Sequence, residues 1–545
     1  MRLKRLLCGV SSALMLISCL SSCGQDTASS INPPVKPEGA SEYVQQQWEK
    51  WAIGSDIELD WYINSTAITS LKDWDNYTLL KEVKQITGVS PKVRVPSGDL
   101  TEKVNTMITM EDWPDLMTLA FGDPIIETLV NEGLVYSMDE LCEKYELDWM
   151  NEMLPEMVAD HKADDGKLYG IPGGYFAPFL VESKDDIGAY TYSVRKDIYK
   201  ELGEPSIKTL DDFYNTLKLF KSKYPTMNGK SSIPLHLGVA GTEALGVIQH
   251  SFGIEKYYVK NDSSVTINVF HPKYQEFMLF MNKLQREGLL DPESLLKDKS
   301  TTDTELATCS FMIPAYFWAL DNANSTLTND QRYISIEPLN ATGTDTVKFP
   351  SQARMGSMFT VIPKGAKNPE AAVKFLRYML SKDGNLLMMY GHEGKEYEIT
   401  SDGKIQRTKE VQDAWTNDYT GYRSRTGMFE FTAAFLKPMP EINMEHPDRQ
   451  KYDRAIADKY CYDETLLTYY MTPEASSDAG IALTKINDAI TRAQYKIITA
   501  ADEQTAKQEL DKLKAKIQES GLESVEKFLT ERYQKNLKKF GKPAY

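Results

Sequence analysis

The chain has 545 residues, 41% of them hydrophobic and 10% aromatic, which is more than one core accommodates and implies at least two domains. Its formal charge of −16 argues against nucleic acid or an anionic lipid surface as a partner. Six cysteines and six histidines over this length make no disulfide framework and leave little material for metal or acid–base chemistry.

Arg2, Lys4 and Arg5 precede an apolar run from Leu6 to Leu20, which closes on Leu20-Ser21-Ser22-Cys23. A basic start, an apolar segment too short to span a bilayer comfortably and small residues before a cut site make a secretory leader. The cysteine after Leu-Ser-Ser resembles the lipobox of bacterial lipoproteins. That resemblance implies a lipoprotein signal peptide over 1–22, with Cys23 lipidated (a diacylglyceryl group, palmitate) and the mature chain extracytoplasmic, held at the bacterial cell membrane by lipid alone. Gly24 to Ser41 is rich in Gly, Ser, Pro, Thr and Ala, a composition that cannot offset chain entropy by burial. Residues 23–50 are therefore expected to be a flexible tether reaching roughly 25–30 Å. With Cys8 and Cys19 in the leader and Cys23 lipidated, only Cys142, Cys309 and Cys461 remain, enough for at most one bridge.

Ile57 to Ile63 alternates apolar and polar residues and predicts a strand that exits at Asn64. A helix through Leu79, Leu80 and Val83 ends at Thr87-Gly88. Val93 and Val95 then mark a second strand, Lys103 to Met110 a helix, and Asp115 to Leu119 a third strand opening on Ala120-Phe121-Gly122-Asp123. This β-α-β-α-β order implies an α/β fold with a parallel sheet, whose ligands sit outside the strands' carboxyl ends. Tyr192 to Arg195 is a short strand, Thr209-Leu210-Asp211-Asp212 a capped helix start, and Asn368-Pro369-Glu370 another, with a second helix ending at Tyr390-Gly391. From Thr484 the pattern is helical, with a break at Gly521.

Four segments resemble, in order, the landmarks of family 1 extracellular solute-binding proteins: Asp165-Gly166-Lys167-Leu168-Tyr169-Gly170-Ile171-Pro172; Val194-Arg195-Lys196-Asp197 with Thr209-Leu210-Asp211-Asp212-Phe213; Pro363-Lys364-Gly365-Ala366-Lys367-Asn368-Pro369-Glu370-Ala371-Ala372; and Tyr390-Gly391-His392-Glu393-Gly394-Lys395-Glu396-Tyr397-Glu398. The resemblance implies a two-lobed, periplasmic-binding-protein-like fold of type II with a hinge and a helical carboxyl-terminal region. It also implies capture of a carbohydrate by a monomer and delivery to the permease subunits of an ATP-binding-cassette importer. On this reading the lobes divide as 51–180 and 353–435 (amino-terminal lobe) and 181–352 and 436–545 (carboxyl-terminal lobe). Some large relatives hold calcium in a loop after the Phe213 helix. Here the segment reads Lys223-Tyr224-Pro225-Thr226-Met227-Asn228-Gly229-Lys230-Ser231-Ser232-Ile233-Pro234, without a carboxylate, so no metal is expected there.

Enzyme motifs give no positive support. His392-Glu393-Gly394-Lys395-Glu396 has Glu396 where a zincin needs its second histidine, and Asn228-Gly229-Lys230-Ser231-Ser232 has Tyr224 where a P-loop needs its first glycine. A G-x-S-x-G elbow is absent from the sequence. No catalytic residue and no cofactor is assigned. A cell-surface glycoside hydrolase or polysaccharide lyase is the alternative, because two carboxylates can come from distant segments.

A sugar needs aromatic faces for its C–H surfaces and paired polar groups for its hydroxyls. Candidates at the strand exits are Tyr62, Asn64, Trp74, Asn76, Thr118 and Phe121, with Tyr316 and Trp318 after the apolar run Phe311-Met312-Ile313. Tyr175, Arg354, Glu393 and Tyr397 stand near the crossovers and landmarks that the resemblance supplies. Trp61 alternates with Leu59 and Ile63 and is read as core.

Overall fold

The computed structural model describes residues 31–64, 74–94, 100–150, 153, 155–173, 191–238, 242–315, 320–344, 347–350, 356–428, 455–456 and 459–541. The expected leader, Cys23, Tyr175, Tyr316, Trp318 and Arg354 lie outside them. Among the described residues no helix is long and apolar enough to cross a membrane.

The first lobe opens with α1 (Glu42–Trp51) and continues through β1 (Ile57–Ile63), α2 (Thr78–Thr87), β2 (Val89–Arg94), α3 (Leu100–Met110), β3 (Leu116–Ala120), α4 (Pro124–Asn131), α5 (Met138–Lys144), α6 (Pro155–His161) and β4 (Ile171–Gly173). The second lobe contains β5 (Thr191–Arg195), α7 (Lys196–Glu201), α8 (Leu210–Lys223), the hairpin β6 (Thr226–Met227) and β7 (Lys230–Ser231), β8 (Ile233–Leu235), α9 (Thr242–Ser251), β9 (Tyr257–Val259) and β10 (Val265–Ile267). It goes on with α10 (Tyr274–Arg286), α11 (Lys299–Thr308), β11 (Ser310–Ala315), α12 (Asp321–Ser325), β12 (Tyr333–Ile336) and β13 (Phe349–Pro350). The chain then returns to the first lobe for β14 (Met358–Val361), α13 (Pro369–Leu380), α14 (Lys382–Tyr390), β15 (Tyr397–Ile399), β16 (Ile405–Arg407), α15 (Lys409–Asn417) and α16 (Tyr419–Thr426). It ends with β17 (Cys461–Tyr462), α17 (Thr465–Thr468), α18 (Asp478–Ile498), α19 (Glu503–Glu519) and α20 (Leu522–Phe540).

Local chemistry accounts for many of these boundaries. Gly88 ends α2 in the left-handed region (φ 75°), and an added Cβ would sit 1.9 Å from the Gly54 carbonyl oxygen, so glycine is required twice over. Thr209 and Asp212 form a reciprocal capping box at α8, and Pro369 occupies the first turn of α13. Packing on the first lobe begins inside the segment expected to be a tether. Ser41 caps α1, Val44 is buried, and Trp51 Nε1 donates to Asp383 at 2.8 Å. Upstream, the Ser55 amide donates to the Asn32 carbonyl at 3.2 Å. Residues 31–50 therefore pack on the first lobe: the polar composition hid an amphipathic helix that lies on α2 and also reaches Asp383 and His392, more than 300 residues away.

The first sheet has the order β2-β1-β3-β14-β4. β1 runs parallel to β2 and β3, and the returning strand β14 runs antiparallel to β3 and β4. Period-two alternation divides the faces. Leu59, Trp61 and Ile63 pack with α2 and α13, while Tyr62, Met117 and Leu119 pack with α4. The second sheet has the order β12-β5-β11-β8, and α8, α10 and α18 to α20 share one core with it. The carboxyl-terminal region is not confined to the second lobe, because Tyr469, Tyr470 and Phe540 pack with the α4 face of the first.

Candidate functional site

Strand register fixes which residues meet at the carboxyl edge of the first sheet. The Asn64 amide donates to the Thr118 carbonyl at 2.8 Å, Phe121 to Ser357 at 2.9 Å, and Ser357 to Gly173 at 2.9 Å. Gly173, where the described chain breaks off, and Gly356, where it resumes after 350, lie at this same edge. The described chain resumes in the second sheet at Thr191, which pairs with Ala315 and whose hydroxyl donates to the Ile336 carbonyl at 2.6 Å. Chain continuity thus joins the carboxyl edge of one sheet to the Thr191–Ala315–Ile336 edge of the other.

Asn64 and Phe121 stand at that edge. Asn64 is buried, and its Oδ1 accepts from the Tyr62 hydroxyl at 3.3 Å. Burial, and after it the Asp123 carboxylate, pushes the Tyr62 phenol up to about 12, so Tyr62 stays a neutral donor. Asp123 caps α4 by accepting from the Ile125 amide at 3.0 Å. The Phe121 ring is half-buried and lies in edge or tilted contact with His161 (5.1 Å between centroids), Tyr470 (5.5 Å), Phe359 (5.7 Å) and Tyr469 (5.8 Å). His161 is buried, and its Nδ1 lies 2.7 Å from the Met157 carbonyl, which assigns the proton to Nδ1.

The other candidates divide. Trp74 heads a single 3₁₀ turn that ends at Asn76, between the exit of β1 and the start of α2; Asn76 is exposed. Thr118 belongs to the interior: it has no exposed surface, its Oγ1 accepts from Trp61 Nε1 at 2.9 Å, and it lies 2.8 Å from Thr360 Oγ1. Trp61 is fully buried, as expected. Tyr397 is buried against Tyr390 and Ile405, and Glu393 is exposed and bridges to Tyr397. These two stand beside the His392–Glu82 contact with α2, not with the strand-end residues. The segment before β8 folds as a two-residue hairpin over Asn228 and Gly229.

Sequence reasoning missed His161, Phe359, Tyr469 and Tyr470 around Phe121. The Tyr469-Tyr470 doublet within an apolar run was the available signal. Nothing local ties it to a strand end more than 300 residues earlier.

The family model described as bacterial extracellular solute-binding protein matches residues 72–386, more than half of the chain. The chain is 28% identical over 294 residues to the fructooligosaccharide ABC transporter substrate-binding protein FusA of Streptococcus pneumoniae, covering 52% of each chain. It is 24% identical over 347 residues to lipoprotein LipO of Bacillus subtilis, covering 60% of this chain and 65% of that one. The matches thus span about half to two thirds of these relatives' length. Among solved structures, the fold resembles a solute-binding protein from Bifidobacterium longum infantis described as HMO binding and ABC-transporter associated. The TM-score is 0.66 at 16% identity, over 88% of this chain and 99% of that one. Sequence match and fold agree: the chain belongs to the bacterial extracellular solute-binding protein family.

Proposed function

We propose that this protein captures a carbohydrate, an oligosaccharide, between the facing edges of its two sheets and delivers it to an ABC importer. The observation that carries the reading is the placement of Asn64 and the Phe121 ring at the carboxyl edge from which the crossovers depart. This pairs a hydrogen-bonding amide with an aromatic platform, the two contacts a pyranose requires. The ligands of FusA, a fructooligosaccharide, and of the HMO-binding Bifidobacterium protein favour an oligosaccharide. The proposed contacts are Tyr62, Asn64, Trp74, Asn76 and Phe121 from the first sheet, Tyr175 and Arg354 from the crossovers, and Tyr316 and Trp318 after β11. Glu393 and Tyr397 would contribute only through an extended ligand that reaches α2.

Delivery requires the protein to stay near its permease. We propose that Cys23 carries the lipid, in keeping with the lipobox and with the name of LipO. Cys23→Ala should release the protein into the medium without altering sugar affinity; retention of the variant in the membrane fraction would contradict the anchor. Binding itself is tested by calorimetry of the mature chain against oligosaccharides of defined length. Hinge closure around the ligand should reduce the radius measured by small-angle scattering.

A further inference from the structure

β12 lies at the end of the second sheet, with no strand among the described residues on its outer side. The Lys196 amide donates to the Arg332 carbonyl at 3.1 Å. In the alternating antiparallel ladder this turns Ile334 and Ile336 toward β5 and points the amides and carbonyls of Tyr333, Ser335 and Glu337 outward. Asn324 Oδ1 accepts from the Tyr333 amide at 2.9 Å. The Tyr333 carbonyl, both backbone groups of Ser335 and the Glu337 amide have no partner among the described residues. These groups are the row of donors and acceptors that a neighbouring strand would use.

A cavity of about 650 Å³ runs along this edge, lined by residues 332–337 on one side and 206–208 on the other, with Lys196 and Tyr199 of α7. The Asn340 amide donates to the Lys208 carbonyl at 3.0 Å, which draws the two walls together beyond Glu337. Ser335 is 5% exposed, so the edge is recessed yet reached by solvent. None of the described sugar-contact candidates is in the lining. Natural edges that must stay unpaired carry lysine or proline on the strand itself, but β12 is uncharged from Tyr333 to Ile336. The cations flank it instead. Arg332 Nε donates to the Asn324 carbonyl at 3.2 Å, and its two terminal amino groups have no partner among the described residues. Lys208 is exposed, and Lys196 meets Asp330 loosely, at 3.5 Å. Glu337, the one carboxylate among the described lining residues, is taken by Lys459 at 3.0 Å. In a chain of net charge −16 this groove is locally positive.

We propose that this groove is a docking site at which an extended, acidic segment of a partner protein adds a strand to β12. Its backbone pairs with Tyr333, Ser335 and Glu337, and its carboxylates face Arg332, Lys196 and Lys208. Backbone pairing supplies the affinity and the flanking cations supply the choice of partner. A small anion would use the cations and leave the backbone row unpaired. A second copy of this chain is excluded as a β12-to-β12 pair, because two edges recessed behind residues 206–208 cannot approach each other.

The test is fluorescence anisotropy of the full mature chain with labelled, end-blocked hexapeptides in which valine alternates with glutamate, threonine or lysine, at low salt. The glutamate peptide should bind roughly tenfold or more tightly than the lysine peptide, and methylation of its alternate backbone nitrogens should abolish binding. Bound peptide should slow hydrogen exchange at the Ser335 and Glu337 amides. Ser335→Pro removes the outward amide while leaving the ladder to β5 intact, and should weaken binding roughly tenfold or more. If Ser335→Pro fails to fold, Arg332→Gln carries the prediction through charge alone, with a loss of about threefold. Absence of glutamate-peptide binding, equal binding of the lysine peptide, indifference to methylation, or unchanged binding by the folded variant would overturn the proposal.

Discussion

Arg532 of α20 forks onto Glu127 of α4, with Nη1 at 2.8 Å from Oε1 and Nη2 at 2.6 Å from Oε2. The two residues belong to different lobes by their main packing. Upstream on α20, Thr530 accepts from the Val265 amide at 2.9 Å and Glu526 pairs with Lys260 at 3.1 Å, both in the second lobe. Two turns of one helix thus span the junction. The pair is only partly exposed, 15% for Arg532 and 29% for Glu127, so it is screened less than a surface contact.

Glu127→Gln keeps the shape of this contact and removes its charge. It should cost about 1–2 kcal/mol, between the ranges for exposed and buried pairs, and should speed hydrogen exchange in the last two turns of α20. Unchanged exchange in those turns would mean that the ion pair does not hold the helix end.

Much of the framework is legible in the sequence because it rests on local chemistry. β1 has the limits its alternation predicts, Gly88 stops α2, the Thr209 capping box starts α8, and Gly521 (φ 96°) divides α19 from α20. What escaped depends on partners far along the chain. α1 reads as tether until Trp51 meets Asp383. Thr118 reads as a ligand contact from its place at a strand exit, and only the Trp61 and Thr360 side chains show that its hydroxyl is already used. The rings around Phe121 arrive from residues near 160, 360 and 470, a convergence that periodicity does not encode.

Thr118→Val tests that interior role. It removes the acceptor of the Trp61 indole N–H in a fully buried site and should cost about 1–3 kcal/mol of stability, with sugar affinity of the folded protein unchanged. Weakened binding at unchanged stability would return Thr118 to the ligand site.

His392 links three elements: its Nε2 lies 2.8 Å from Glu82 of α2 and its Nδ1 3.0 Å from Glu396, with Tyr43 of α1 in edge contact at 4.9 Å. The hydrogen bonds to Glu396 and Glu82 hold its pKa at about 9, above the ordinary 6.5. Burial opposes ionisation of Glu396, but His392, Lys395 and the His392 amide outweigh it and hold that carboxyl at about 2, below the ordinary 4.5. The imidazolium's contribution is therefore fully present below pH 6.5 and is lost as pH rises through about 9. The Glu396 contribution is present above pH 4.5 and is lost as pH falls toward about 2. Thermal melting of His392→Gln should fall furthest below wild type near about pH 6 and converge with it near about pH 9.5. A pH-independent difference would show that the imidazole is not charged there.

Trp318 follows β11 by three residues and Asn64 follows β1 by one. If both contact one sugar, Trp318→Ala and Asn64→Ala should each weaken affinity by about 1–3 kcal/mol, roughly 5- to 150-fold, with melting nearly unchanged. A melting loss of about 3–5 kcal/mol with unaltered affinity would instead make Trp318 part of the core.

Carbohydrate capture without chemistry is the central claim, and one measurement addresses both halves. The mature chain is titrated calorimetrically with a panel of neutral and acidic oligosaccharides, and each mixture is analysed afterwards for shortened products. The account predicts saturable 1:1 binding of at least one oligosaccharide, recovered intact. Failure of every oligosaccharide to bind, or release of smaller sugars in proportion to protein and time, would contradict it.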